Sequence, residues 1–581
     1  MSEFKCDGGN FTLDGKPMKI ISGSIHYFRS LPEQWRDRLE KLKACGFNTV
    51  ETYTSWNRHE TTEGVFDFSG GLDIGAFLDT AAELGLYAIV RPGPFICAEW
   101  EFGGLPWWLI RYGDVRLRCN NDRFIGFQER YLKELFAILA PRQVTNGGNV
   151  LMLQVENEYG SFGDDKEYLR RLRDIYRNNG INVPLFTSDG PGAFWLASGS
   201  VEGALATANF GGSVEENMRK FKAFLPEGPH MCTEFWCGWF DHWGDAHHRR
   251  DTEEAANTFA QVIDSGCSIN VYMFHGGTNF GFMNGANYQQ RYEPTTTSYD
   301  YDTVLTEAGD LSDKFYAFRR VIEERFGALP PVEVKNSVKH AYGRVEISGS
   351  VSLTDAIGVL APPVHCAVPE SPETLGQGYG YTFYRSEFLS VGGVATITLH
   401  NVRDRAILYI DGIRRGCVYR RDNGTGSAAV ELAPGTHRIE VLLENMGRVN
   451  YGVHIFDPKG FDGVTVNDKY IFGWDCFALT GEGLDALDFS CGAPEGAPAF
   501  HCGTFTADEC ADTFLDVSGF GKGFAVINGF NLGRFWPDEG PQRTLYVPAP
   551  VIKKGINSII LFESEGKSAG FVTLTDKHDL G

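Results

Sequence analysis

The chain has 581 residues, a formal net charge of −22 and an aromatic share of 13%. That length exceeds a single hydrophobic core and predicts about three domains. An acidic balance lacks the basic footprint nucleic acid requires, and no apolar run reaches the length of a membrane span, so neither is an expected partner. Met1 to Asn10 has no apolar segment of signal-peptide length. The 13 cysteines include no CxxC pair or zinc spacing, which predicts free thiols, no metal site and a cytoplasmic location.

In chain order, Asn10 to Gly15 reads as a hairpin turn and Met18 to His26 as a first strand. Pro32 to Gly46 has helical apolar spacing, a proline near its start and a terminal glycine. Strand and helix then alternate. The expected strands are Asn48–Trp56, Tyr87–Pro94, Val150–Val155, Pro184–Ser188, Ala206–Phe210, Pro229–Trp236 and Ser268–His275. The helices between them are Gly71–Gly85, Asp122–Leu139, Asp165–Asn179, Val214–Phe224 and Thr252–Ser265. Eight strands separated by helices point to a closed (β/α)₈ TIM barrel over residues 1–330. After Pro330-Pro331 the texture becomes alternating strands between Gly, Asn and Asp clusters, the pattern of β-sandwiches. Two all-β domains are expected, 331–465 and 466–581, with an exchange of strands between them left open.

Two of the expected barrel strands end in carboxylates. Val150 to Val155 runs into Glu156-Asn157-Glu158, and Pro229 to Thr233 runs into Glu234 followed by aromatics. An acid at the end of a buried strand is costly unless it is paired or has a task. One such Glu is as readily a salt-bridged residue as a catalytic one. Two on separate strands suit glycoside hydrolysis, where one carboxylate attacks and the other protonates the leaving oxygen.

Several stretches carry a family resemblance: Gly23-Ser-Ile-His-Tyr-Phe-Arg29, residues 91–107, Gln154-Val-Glu-Asn-Glu-Tyr-Gly160, Gly276-Gly-Thr-Asn-Phe280 and Thr297-Ser-Tyr-Asp-Tyr-Asp302. It continues through Glu444-Asn-Met-Gly-Arg-Val-Asn-Tyr-Gly452 and residues 528–537. The chain resembles glycoside hydrolase family 35, the retaining β-galactosidases. The resemblance implies a barrel followed by two jelly-roll, galactose-binding-like sandwiches, and a galactoside oligosaccharide as substrate. It implies no cofactor, and a monomer or homodimer is expected. Carried over by position, Glu158 is the acid/base and Glu234 the nucleophile, while Asn157 holds the sugar 2-hydroxyl. Tyr53, Cys97, Ala98, Glu99, Tyr272 and Tyr301 line the galactose pocket.

Each assignment has a plainer counterpart. Cys97 is more readily a small packed residue than a nucleophile, and His26, His242 and His275 more readily satisfy core hydrogen bonds than bind metal. Trp100, Trp107 and Trp108 either fill the barrel top or stack on sugar. Trp236 departs from the tyrosine found in many relatives, keeping an N–H donor but no acceptor. Trp236 and Trp239 follow the nucleophile, as in family members that favour β-1,3-linked galactose, and Arg58 is expected at the same rim. Two other functions share these features: a transglycosylase passing galactose to a sugar acceptor, and a galactoside-binding protein without turnover.

Overall fold

A computed structural model describes residues 2–581. Eight parallel strands close into a barrel: Ile21–Ile25, Thr49–Tyr53, Tyr87–Arg91, Val150–Gln154, Leu185–Asp189, Ala204–Asn209, Met231–Trp236 and Ser268–His275. Most are buried along their whole length, which is why they read as apolar runs rather than as alternation. Helices Asp122–Leu139 and Val214–Phe224 start and stop where the apolar spacing predicted. Asn121 caps the first of them by accepting from the Phe124 N–H. The sequence reading omitted the helices Trp56–His59, Ala193–Gly199, Asp313–Phe326 and Leu353–Leu360.

The two sandwiches share a chain path that the linear division at 466 does not follow. Strand Gly343–Ser352 pairs antiparallel with Ala499–Ala507 and Phe571–Thr575, so it belongs to the C-terminal eight-stranded sheet. Conversely, Trp474–Leu479 pairs with Tyr381–His400, which carries the first sandwich sheet past residue 466. The expected short strands Ala395–His400 and His437–Leu443 are parts of two long ones. Tyr381–His400 and Gly426–Glu444, 20 and 19 residues, pair along nearly their full length. A shared apolar cluster including Phe282, Tyr381, Phe524 and Phe562 joins barrel and both sandwiches. Among the described residues all 13 cysteines are free, and no helix is long and apolar enough to cross a membrane.

Candidate active site

The barrel strands converge on a cavity of about 380 Å³ at their C-terminal ends. The second strand delivers Tyr53, the fourth leads into Asn157 and Glu158, the seventh carries Glu234 and Trp236, and the eighth carries Tyr272. Cys97, Ala98, Glu99, Trp239 and Tyr301 complete the part of the lining anticipated from sequence.

The backbone at this mouth is unusual. Cys97, Ala98 and Glu99 all have positive φ, at 56°, 57° and 47°. Glu156, Glu158 and Tyr301 do too, at 61°, 45° and 59°. Left-handed conformation in non-glycine residues costs roughly 1–2 kcal/mol each and persists only where the surroundings impose it. At the Cys97–Glu99 turn they do. Arg29 donates to the Ala98 carbonyl, Gly285 N–H donates to the Glu99 carbonyl at 2.9 Å, and Trp100 N–H closes onto the Cys97 carbonyl at 3.1 Å.

Glu156, Glu158 and Glu234 have distinct surroundings. Glu156 is wholly buried in a fork with Arg118, whose Nε and Nη2 each donate at 2.8 Å. Arg118 also donates to the Asn157 carbonyl at 2.7 Å, so Glu156 anchors the turn that aims its neighbours. Glu234 receives three donors: Arg91 Nη2 at 2.7 Å and the Tyr53 hydroxyl at 2.9 Å on Oε1, and Trp236 Nε1 at 3.3 Å on Oε2. Arg91 Nη2 also donates to Asn157 Oδ1 at 2.8 Å, tying that amide to the same guanidinium. Among the described residues Glu158 receives only the Asn209 side-chain amide, at 3.1 Å. Burial, and then the nearby Glu234 carboxylate, push its carboxyl up to about 8.

At the floor, Glu99 accepts from the Tyr299 hydroxyl, which lies 3.0 Å from the Tyr272 hydroxyl. Burial holds Glu99 at about 7 despite that bond and the nearby Arg29. The Cys97 thiol is pushed well above its usual range by burial, and Asn450 Nδ2 stands 3.5 Å from its sulfur, which suits packing rather than nucleophilic attack. Trp236 and Trp239 meet edge to face with centroids 5.6 Å apart, and Trp239 remains 40% exposed at the rim.

Arg58 corrects an expectation. It lies outside the cavity, on the exposed side of the short helix Trp56–His59, where its ionisable neighbours are Tyr379, Asp67 and Tyr27. The buried face of that helix is Trp56, Asn57 and His59, and this turns residue 58 outward. Trp100, Trp107 and Trp108 are buried and donate to Asn57, Thr61 and Glu60 respectively, so they fill the barrel top.

The lining also includes residues given no role from sequence. Tyr451 reaches the cavity from the first sandwich, and Asn287 lines it from residues 283–288, a polar, glycine-bearing segment that reads in the sequence as a loop over the site. His242 is there too, bonded to Asp245 and Asn287 at 3.0 and 2.9 Å. Arg91 and Asn209 carry no local signal of their own, because their importance lies in the acids they bond.

The family model for glycosyl hydrolases family 35 matches residues 10–325, which contain every barrel strand, Glu158 and Glu234. The chain belongs to glycoside hydrolase family 35. Models for the first all-β domain and the galactose-binding domain of β-galactosidases match residues 369–480 and 498–557, in line with the two sheets. A β-galactosidase of Xanthomonas manihotis is 42% identical over 94% of this chain and 91% of its own length. The human β-galactosidase-1-like protein 2 is 40% identical over 96% of this chain and 88% of its own. The β-galactosidase of Felis catus is 40% identical over 97% and 88%. As a member of family 35, the chain is a glycoside hydrolase.

Proposed function

We propose that this enzyme is a retaining exo-β-galactosidase in which Glu234 is the nucleophile and Glu158 the acid/base. The observation that carries the assignment is the contrast between the two carboxyls facing one cavity. Glu234 is bonded by a cation, a phenol and an indole N–H, the donors that orient an attacking carboxylate. Glu158 is held up to about 8, so it carries a proton to donate at neutral pH.

The steps follow from those states. A Glu234 oxygen bonds to C1 of the terminal galactose, the C1–O bond to the leaving group breaks, and the leaving oxygen takes the Glu158 proton. Water then gives a proton to Glu158 and bonds C1 as Glu234 departs. Two inversions restore the β configuration. Retention calls for carboxyls about 5–5.5 Å apart, and Glu158 and Glu234 line one cavity, as that mechanism requires. Asn157, fixed by Arg91, suits a bond to the 2-hydroxyl. Tyr53, Tyr272 and Tyr301 are buried at the floor, which suits one terminal sugar. Glu99 and the tyrosines give polar contacts able to select the galactose hydroxyl arrangement. The relatives' names support galactose as the sugar released. A binding protein without turnover leaves the paired carboxyls unexplained.

The aglycone side is walled by Trp236, Trp239 and Tyr451. Aromatic faces there suit the second sugar of a β-1,3-linked disaccharide, the linkage that the tryptophan pair implies by resemblance.

Paired variants test the roles. Glu234→Gln should abolish turnover of every galactoside, because no covalent intermediate forms. Glu158→Gln should cost about 10²–10⁴-fold on substrates with poor leaving groups and far less on a nitrophenyl galactoside. It should also remove the basic limb of the pH–rate profile, which in the native enzyme falls as pH rises through about 8. Equal losses across leaving groups, or a basic limb that survives, would remove Glu158 from the acid role.

A further inference from the structure

Beside the catalytic cavity a second hollow of about 430 Å³ opens on the barrel rim. It lies between the ends of the fifth, sixth and seventh strands, and Trp236 lines both spaces. Its floor includes Asn209, the residue that donates to Glu158. The hollow therefore adjoins the acid/base and the indole that walls the aglycone side.

The helix Ala193–Gly199 that follows the fifth strand leaves two large aromatics in the open, Phe194 at 78% and Trp195 at 46% exposure, and Trp195 lines the hollow. The local sequence is built to seat Trp195. A Cβ at Gly190 would come within 2.7 Å of its indole, and one at Gly192 within 3.1 Å. The glycine at 211 serves Trp236 in the same way, since a Cβ there would approach the Trp236 Cβ to 3.0 Å. Both indoles thus rest on backbone, and each presents a flank to the hollow. Asn217 and Lys220 supply polar groups at its edge. Asn217 donates to the Gly212 carbonyl at 2.8 Å, and Lys220 pairs with Glu216 at 2.7 Å.

We propose that this hollow is an outer aglycone subsite, which holds a neutral sugar two or three residues beyond the cleaved bond, past the sugar that Trp236 and Trp239 meet. The proposal rests on the hydrolase reading above, because it takes Trp236 as the wall the aglycone passes. An indole offers the apolar face of a pyranose a flat partner, while amide and ammonium groups bond its hydroxyls. The competing occupant is a second copy of the chain. Two exposed rings are a small part of the roughly 800 Å² that each partner commits to a stable interface. Continuity with the catalytic cavity instead favours the substrate's own chain.

The test is a length series of galactosyl oligosaccharides sharing one terminal linkage, run beside a nitrophenyl galactoside and with sedimentation velocity on each protein. In the native enzyme the tri- or tetrasaccharide should exceed the disaccharide in kcat/KM by about five-fold, with the gain in KM. Trp195→Ala should bring that ratio to about one, and Trp195→Phe, which keeps a ring, should preserve most of it. Lys220→Ala should reduce it partially. Equal rates on short and long substrates in the native enzyme would overturn the proposal. So would a Trp195→Ala loss shared by all substrates, or a dimer that Trp195→Ala dissolves with no effect of chain length. Each of these results can occur while the nitrophenyl galactoside is still cleaved, so the subsite can fail and leave the hydrolase reading standing.

Discussion

Glu156 and Glu158 stand two residues apart, and their packing gives them different fates. The bidentate Arg118 partner commits Glu156 to structure, while Glu158 keeps a single neutral donor and faces the cavity. Adjacent acids in one motif are separated by their partners, and spacing alone does not reveal these. The same holds for Trp236. Its replacement of tyrosine leaves the positioning of Glu234 open on paper, yet the indole N–H reaches Oε2 at 3.3 Å and supplies the donor. Trp239, half in solvent, has no such bond to the nucleophile and is free to meet the second sugar. Trp239→Ala is therefore expected to reduce kcat/KM on galactosyl-β-1,3 disaccharides about ten-fold, and on a nitrophenyl galactoside far less. The native enzyme should prefer the β-1,3 disaccharide to lactose. Equal cleavage of the two disaccharides, or equal losses on both substrate types in the variant, would end the linkage reading.

At the scale of elements, the site depends on a segment from outside the barrel. After strand Gly426–Glu444 the chain runs along the barrel mouth, where Phe102 N–H and Ala286 N–H donate to the Arg448 carbonyl at 3.4 and 3.2 Å. The buried Arg448 guanidinium holds Glu101 of the barrel at 2.7 Å and Glu373 of the sandwich at 2.6 Å. Asn450 and Tyr451 follow at Cys97 and the cavity wall. Arg448→Met would strand two buried carboxyls without a cation, a change costing about 3–5 kcal/mol. A clear drop in apparent Tm, with loss of galactosidase activity and partial recovery on adding Glu101→Gln, is the expected outcome of thermal melts. An unchanged Tm would show that the docking rests on apolar contacts alone. This dependence explains what the sequence hid. The barrel strands were legible because most are short buried runs set between helices with clear apolar spacing, and the acids because they sit at strand ends. Tyr451 was not, since its partner surface lies some 350 residues earlier in the chain. The long sandwich strands were misread because Gly392-Gly393 and Pro434-Gly435 resemble turns, whereas Val391 pairs with Pro434 and Gly393 with Leu432 in one continuous ladder. Arg58 was misplaced because four residues, Trp56–His59, are too few to show a helical period.

Across the whole molecule, buried acids tie stability to pH. Burial is the leading cause that pushes Glu51, Glu99 and Glu563 up to about 7, and Glu158 and Glu307 up to about 8. In the unfolded chain these groups lose their protons near 4.5. Each raised group thus stabilises the fold fully below that value, and the contribution is lost as pH climbs through the folded one. Buried His59 and His275, held down to about 4 and about 3, act in the opposite sense, but only below about pH 6.5, where an unfolded histidine takes a proton. Between pH 6.5 and 8.5 the carboxyls act unopposed by these histidines. The apparent Tm should fall by about 5 °C across that window. A flat or rising Tm in calorimetry would show that these carboxyls ionise in the folded chain as they do in water. The same burial that makes the fold sensitive to alkali keeps a proton on Glu158 opposite the Arg91-bonded Glu234. The most direct test of that pairing is peptide mass spectrometry after reaction with a 2-deoxy-2-fluoro-β-galactoside bearing a good leaving group, whose fluorine slows release of the glycosyl-enzyme. The expected product is one fluorogalactosyl group per chain, attached to Glu234. An adduct on Glu158 or another residue, or no adduct while the reagent is turned over with inversion, would contradict it.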